Sequence, residues 1–93
     1  MATLHLEVVT PHGRSFDDDV DSVVIPGVEG EFGVLPQHMP LMTMIQAGEL
    51  VIRKGTQEQR VPVGNGFVEV LGDHVFVLTD PQRELGEEPV EIS

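Results

Sequence analysis

No cysteine occurs in this chain, so neither a disulfide framework nor thiolate chemistry is open to it. Tryptophan and tyrosine are missing too, and four phenylalanines are the whole aromatic content. Burial must then rest on Val, Leu and Ile, whose branched and aliphatic side chains suit short strands packed in layers. Basic residues are scarce: five Lys and Arg stand against sixteen Asp and Glu, for a formal net charge of −11. Phosphate backbones are bound chiefly through Lys and Arg, so this deficit argues against nucleic acid as a partner. It argues equally against direct adsorption to anionic lipid. Two readings of the acid excess remain, a surface that keeps the chain in solution and a surface complementary to a basic protein. No apolar run approaches the roughly 18–20 residues that span a bilayer as a helix. The opening Met1-Ala2-Thr3-Leu4-His5 has neither the basic-then-apolar order of a secretory signal nor the Arg- and Ser-rich character of an import presequence. The chain is therefore expected to be made and kept on the cytoplasmic side.

What is present is β periodicity. Leu4, Leu6 and Val8 alternate with His5, Glu7 and Val9, the period of a half-buried strand. Pro11-His12-Gly13 interrupts it. A short strand or bend follows around Phe16, and Asp17-Asp18-Asp19 reads as a solvated loop. Val20 to Ile25 is a second β run, closed by the turn dipeptide Pro26-Gly27. Leu41, Thr43 and Ile45 alternate with Met42, Met44 and Gln46, and after a turn at Gln46-Ala47-Gly48-Glu49 the pair Leu50 and Ile52 shares a strand face. Residues 58 to 63 form a weaker strand that Pro62 assigns to a sheet edge. Gly64-Asn65-Gly66 reads as a hairpin turn, and Phe67–Leu71 with Val75–Thr79 as a hairpin about Gly72-Asp73. These are about eight to ten strands spaced about ten residues apart, the pattern of an all-β sandwich or barrel. No helical period of useful length appears. Residues 1–82 are expected to form the one domain, and residues 83–93 an acidic tail with too little apolar content to pack alone.

Catalytic and metal-binding patterns are not found. His5, His12, His38 and His74 include no pair at i, i+2 or i, i+4, so no zinc motif is formed. Ser15, Ser22 and Ser93 lie in no nucleophile elbow, and no glycine-rich loop ends in Lys-Ser/Thr. Glu29 and Glu31 are two apart, which on a strand sets both carboxylates on one side, as an acid/base pair or as a surface for a basic partner. The second use is preferred. No catalytic residue, metal or cofactor is expected.

The densest stretch is Glu29 to Leu41. Gly27, Gly30 and Gly33 permit positive φ or close backbone approach, and Pro36 and Pro40 remove ladder donors. The stretch reads as a rigid, shaped edge suited to holding a partner.

Taken in order, these segments resemble the ε subunit of F-type ATP synthases. Leu4-His5-Leu6-Glu7-Val8-Val9-Thr10-Pro11 resembles its opening strand. Gly27-Val28-Glu29-Gly30-Glu31-Phe32-Gly33-Val34-Leu35-Pro36-Gln37-His38-Met39-Pro40-Leu41-Met42-Thr43 resembles its signature Gly-x-x-Gly-Glu-x-Gly-x-Leu-Pro-x-His-x-Pro-Leu-x-Thr. Ala47 to Ile52 resembles the following turn and strand, Gly64 to Val70 the Gly-Gly-x-x-Glu-Val hairpin with Asn65 for a glycine, and Val75 to Asp80 the last strand. The resemblance implies a flattened β-sandwich of about ten strands at the foot of the central stalk, beside the γ subunit and on the membrane c-ring, turning with both. It implies c-ring contacts at Glu29, Gly30, Glu31 and Phe32, and γ contacts at His38, Met39, Met42 and Thr43. It implies a peripheral place on the cytoplasmic face of the bacterial inner membrane, reached through the c-ring without insertion.

One departure is at the end. The family usually continues into a two-helix hairpin that in many bacteria inhibits hydrolysis and in some binds ATP, and residues 81–93 have neither its length nor its Ala-rich pattern. Autoinhibition and nucleotide binding are therefore not expected. The alternative from another class is a free-standing β-barrel that binds a small ligand or metal through scattered His and Glu.

Overall fold

The computed structural model describes residues 2–37 and 39–80. Nine strands follow in chain order: β1 (Leu4–Thr10), β2 (Gly13–Val20), β3 (Ser22–Gly27), β4 (Gly30–Val34), β5 (Leu41–Ile45), β6 (Gly48–Lys54), β7 (Gln57–Val63), β8 (Gly66–Leu71) and β9 (His74–Thr79). No helix occurs among the described residues. One layer runs β2-β1-β9-β8-β5 and the other β4-β3-β6-β7. They join at a single corner, where Gly27 pairs with Ile45 and the Gln46 N–H donates to the Pro26 carbonyl at 2.9 Å. The far side is held by Lys54 against Asp18 at 2.7 Å and by the Asp21 N–H on the Arg53 carbonyl at 2.8 Å. The chain is thus an all-β sandwich made by curling one sheet.

Alternation fills the space between the layers. Leu4, Leu6 and Val8 of β1 meet Val75 and Val77 of β9 and Val68 and Val70 of β8 on one side, and Val23, Ile25, Leu50 and Ile52 come from the other. Burying each such side chain is worth about 1.5–3 kcal/mol, which is how a chain with so few aromatics holds a core.

Several local readings are displaced. Asp17, Asp18 and Asp19 are not a loop; they sit in β2, paired with Glu7, Leu6 and His5 of β1. Long-range partners, His5 and Lys54, offset the repulsion that the run implies by itself. Pro26-Gly27 ends β3 within the ladder, and the turn falls one step later, at Val28 and Glu29. Of Gly27, Gly30 and Gly33, only Gly30 takes positive φ, at 127°. Gly64-Asn65-Gly66 is not a hairpin turn: β7 ends one layer, β8 lies inside the other, and the tripeptide carries the chain between them. Pro62 does lie in the edge strand β7, and β8 and β9 form the expected hairpin, with Gly72 at φ 63°. The expected tail, 83–93, lies outside the described residues.

Candidate docking surfaces

Two surfaces stand out, an acidic tip and an apolar flank. The tip is the β3–β4 hairpin. Its tightness comes from Gly27, where a Cβ would meet the Gly30 carbonyl oxygen at 2.9 Å and the Phe32 ring at 3.0 Å. Phe32 pairs with Ile25 and leans on the core, so the tip is braced from beneath. Glu31 lies on β4 opposite Pro26, while Glu29 belongs to the turn, so the strand period that would align the two carboxylates does not connect them. Both are exposed, and neither makes an ion pair among the described residues.

The cations lie elsewhere. Arg14 is on Glu7 at 2.9 Å, Arg53 on Glu58 at 3.1 Å, Lys54 on Asp18 at 2.7 Å, and Arg60 bridges Glu58 at 3.0 Å and Glu49 at 3.4 Å. Every described Lys and Arg is thereby engaged away from the tip. The field at Glu29 and Glu31 is left uncompensated, which favours a cationic partner there.

The second half of the signature stretch crosses between the layers. Gln37 takes φ 69°, and its N–H donates to Asp73 Oδ1 at 2.8 Å, pinning the loop to the β8–β9 turn. His38 lies outside the described residues. Met39 is 77% exposed, and Met42 is 64% exposed on the outer side of β5. Thr43 faces inward, opposite Val68. Met42 and Thr43 therefore present to opposite faces, and one flat partner meets only the first through its side chain.

The apolar flank was only partly legible. On the outside of the β1-β9-β8-β5 layer, Met44, Phe67, Leu78 and Val9 stand in one cross-strand row. The next row is Met42, Glu69, Phe76 and Glu7. Met44 is 57% and Leu78 39% exposed. A soluble monomer seldom leaves such a contiguous patch to water, and a patch rimmed by charge marks a docking face. A signal for it existed: β8 and β9 carry Phe67, Leu71, Phe76 and Leu78 at the outward parity as well as valines at the inward one, and Glu69 and His74 are the polar exceptions.

The rim of the flank is ionic. His5 Nε2 lies 2.6 Å from Asp17 and Nδ1 2.8 Å from Asp19, while His74 Nε2 is 3.5 Å from Glu7. The two imidazoles meet edge to face with centroids 5.4 Å apart. Two carboxylates on one ring call for two donors, which only the imidazolium has. The hydrogen bond that the ring donates to Asp19, together with that to Asp17, raises the His5 pKa above the ordinary 6.5 despite the opposing effect of desolvation. A raised folded-state value means stability that is fully present below about pH 6.5 and is lost as pH rises through the raised value. Asp19→Asn is expected to bring the His5 ring titration, followed by NMR, down towards 6.5; an unmoved midpoint would contradict the assignment. Among the described residues no three His, Asp or Glu converge as a metal requires.

Comparisons with known proteins agree with this fold. Residues 3–83 match the family model for the β-sandwich domain of the ATP synthase delta/epsilon chain. An ATP synthase epsilon chain of Dehalococcoides mccartyi is 51% identical over 80 residues, which are 86% of this chain and 57% of that one. That of Alkalihalophilus pseudofirmus is 46% identical over 80 residues, 86% of this chain and 60% of that one. The chain thus spans less than two thirds of the length of these curated relatives. In fold it is similar to a chain of the Euglena gracilis mitochondrial ATP synthase in a structure of OSCP, F1 and c-ring, with TM-score 0.79 and 23% identity over 85% of this chain and 51% of that one. A chain of the Tetrahymena thermophila mitochondrial ATP synthase central stalk and c-ring superposes with TM-score 0.71 at 13% identity, over 97% of this chain and 80% of that one.

Proposed function

Because the chain belongs to the family of ATP synthase delta/epsilon-chain β-sandwich domains, we propose that it acts as an ε-type rotor element, docking a γ subunit onto a c-ring at the cytoplasmic face of the bacterial inner membrane. In this reading it couples ion translocation to ATP synthesis without chemistry of its own. The observation that carries it is the pairing of two unlike docking surfaces on one braced sandwich, an uncompensated acidic tip and an uncovered apolar flank. The tip, with Glu29, Gly30, Glu31 and Phe32, suits basic polar loops of a ring. The flank, with Met42 at its margin beside the loop of Met39, suits the apolar surface of γ.

Magnitudes give the tip a particular mode of action. An exposed carboxylate–Arg pair is worth about 0–1 kcal/mol, too little to hold a stalk under torque. Repeated around a ring, with γ bound alongside, the same pairs gain through effective concentration. Glu31→Gln should therefore weaken binding to isolated c-rings by no more than about fivefold, and Glu29→Gln combined with it should weaken binding further. Both effects should shrink as salt rises, because exposed charges are screened. Quantitative pull-down on purified c-rings checks this, and total loss of binding from Glu31→Gln alone would overturn it.

A further inference from the structure

Glu69 stands in the middle of the apolar flank. β8 presents it outward between Met42 of β5 and Phe76 of β9, its cross-strand neighbours. It is already partly buried, and its carboxylate makes no hydrogen bond or ion pair with any described residue. The contrast is Glu7 in the same row, which has Arg14 at 2.9 Å and His74 at 3.5 Å. Beside Glu69 lies an open hollow of about 530 Å³, lined by Glu69, Leu71, His74 and Phe76. Its His74 Nε2 is turned to Glu7.

A carboxylate can keep this place only while water reaches it. Once a partner covers the flank, the charge loses hydration, and burying an unpaired charge is strongly unfavourable. The described Lys and Arg side chains are all paired with other carboxylates. The partner must then bring the counter-charge. The hollow has the form for one long basic side chain: Leu71 and Phe76 offer apolar wall for its methylenes, and Glu69 offers the acceptor at the end. A guanidinium there would also lie against the Phe76 ring.

We propose that this hollow receives a Lys or Arg side chain of the protein that docks on the flank, with Glu69 as its counter-charge and the residue that selects the partner. The inference rests on the docking reading above and adds what the partner surface must contain: an apolar patch with one basic side chain opposite β8. Specificity follows, since a purely apolar surface would strand the carboxylate.

The test measures affinity of the full chain for the cognate γ subunit in four forms: unsubstituted, Glu69→Gln, Glu69→Met and Met44→Asp. Glu69→Gln and Glu69→Met should each weaken binding about tenfold and flatten its salt dependence. Glu69→Met decides by sign, because methionine suits the Met42 and Phe76 surroundings. If no basic side chain enters, removing the stranded charge leaves binding equal or tighter, and the inference fails. If Met44→Asp abolishes binding while Glu69→Met leaves it unchanged, the flank remains the dock and only the hollow's occupant is wrong. If neither substitution matters, the docking reading falls with it.

Discussion

Gly66→Ala is expected to unfold this domain or bring it close to unfolding. β8 begins at Gly66, directly opposite Thr79 of β9. A Cβ on Gly66 would fall on the Leu78 carbonyl oxygen and within 2.8 Å of Thr79 Cα, both backbone atoms that cannot swing aside. The neighbourhood has no slack. The Gly64 N–H donates to the Asp80 carbonyl at 2.8 Å, the Asp80 N–H to the Asn65 carbonyl at 3.0 Å, and the Thr79 hydroxyl to the Gly64 carbonyl at 2.9 Å. Asn65 also accepts the Ala47 N–H at 3.1 Å, so the crossover ties β7, β8, β9 and the β5–β6 turn together. Overpacking usually costs about 1–3 kcal/mol, and a backbone collision belongs at or beyond the top of that range. Domains of this size have about 5–15 kcal/mol in all, and each kcal/mol moves the melting temperature by about 4–8 °C. A fall of at least about 12 °C is expected, or no folded protein. Gly33→Ala is the control, because a Cβ there meets nothing within 4 Å, and it should melt near the unsubstituted chain. A Gly66→Ala protein that melts within a few degrees of it would refute the close approach.

Met44→Asp is expected to leave the fold intact and abolish capture of γ. Met44 is 57% exposed on the outer side of β5, and a surface change of this kind typically moves stability by about 0.5 kcal/mol or less. In a complex the situation reverses. Met44 starts the row that continues through Phe67, Leu78 and Val9, so an aspartate there would be buried among apolar groups, and none of the described Lys or Arg of this chain pairs in that row. An affinity loss of at least about 100-fold follows from burying an unpaired charge. The pair of measurements, melting temperature and affinity for γ, separates docking from folding. Unchanged affinity would move the dock off this face.

Much of the fold was readable because strand alternation is local. The parity of Leu4, Leu6 and Val8, the edge place of Pro62 and the β8–β9 hairpin all depend on neighbours a few residues apart. The tip was readable only in part: the positive φ of Gly30 is a local property, but the strand period expected to align Glu29 with Glu31 fails because Glu29 lies in the turn and Glu31 on β4. The other misreadings share one cause, that the deciding partner is distant along the chain. Asp17 to Asp19 form a strand because His5 and Lys54 stand against them. Gly64-Asn65-Gly66 became a crossover because β8 pairs with β5 and β9 and leaves β7 at the opposite end.

For function the division is sharper. Strand alternation and the order of the glycines and prolines already spoke for a β domain with a shaped edge. Which residues share a surface was decided by folding alone. Met42 and Thr43 adjoin in sequence yet present to opposite faces, whereas Met44 and Val9 lie far apart in sequence and share one row. That row exists because β1 pairs parallel to β9, a contact across most of the chain that no local period encodes. Composition follows from counting residues, and local conformation from their near neighbours; a binding surface follows from register, and register is settled only when the whole core closes.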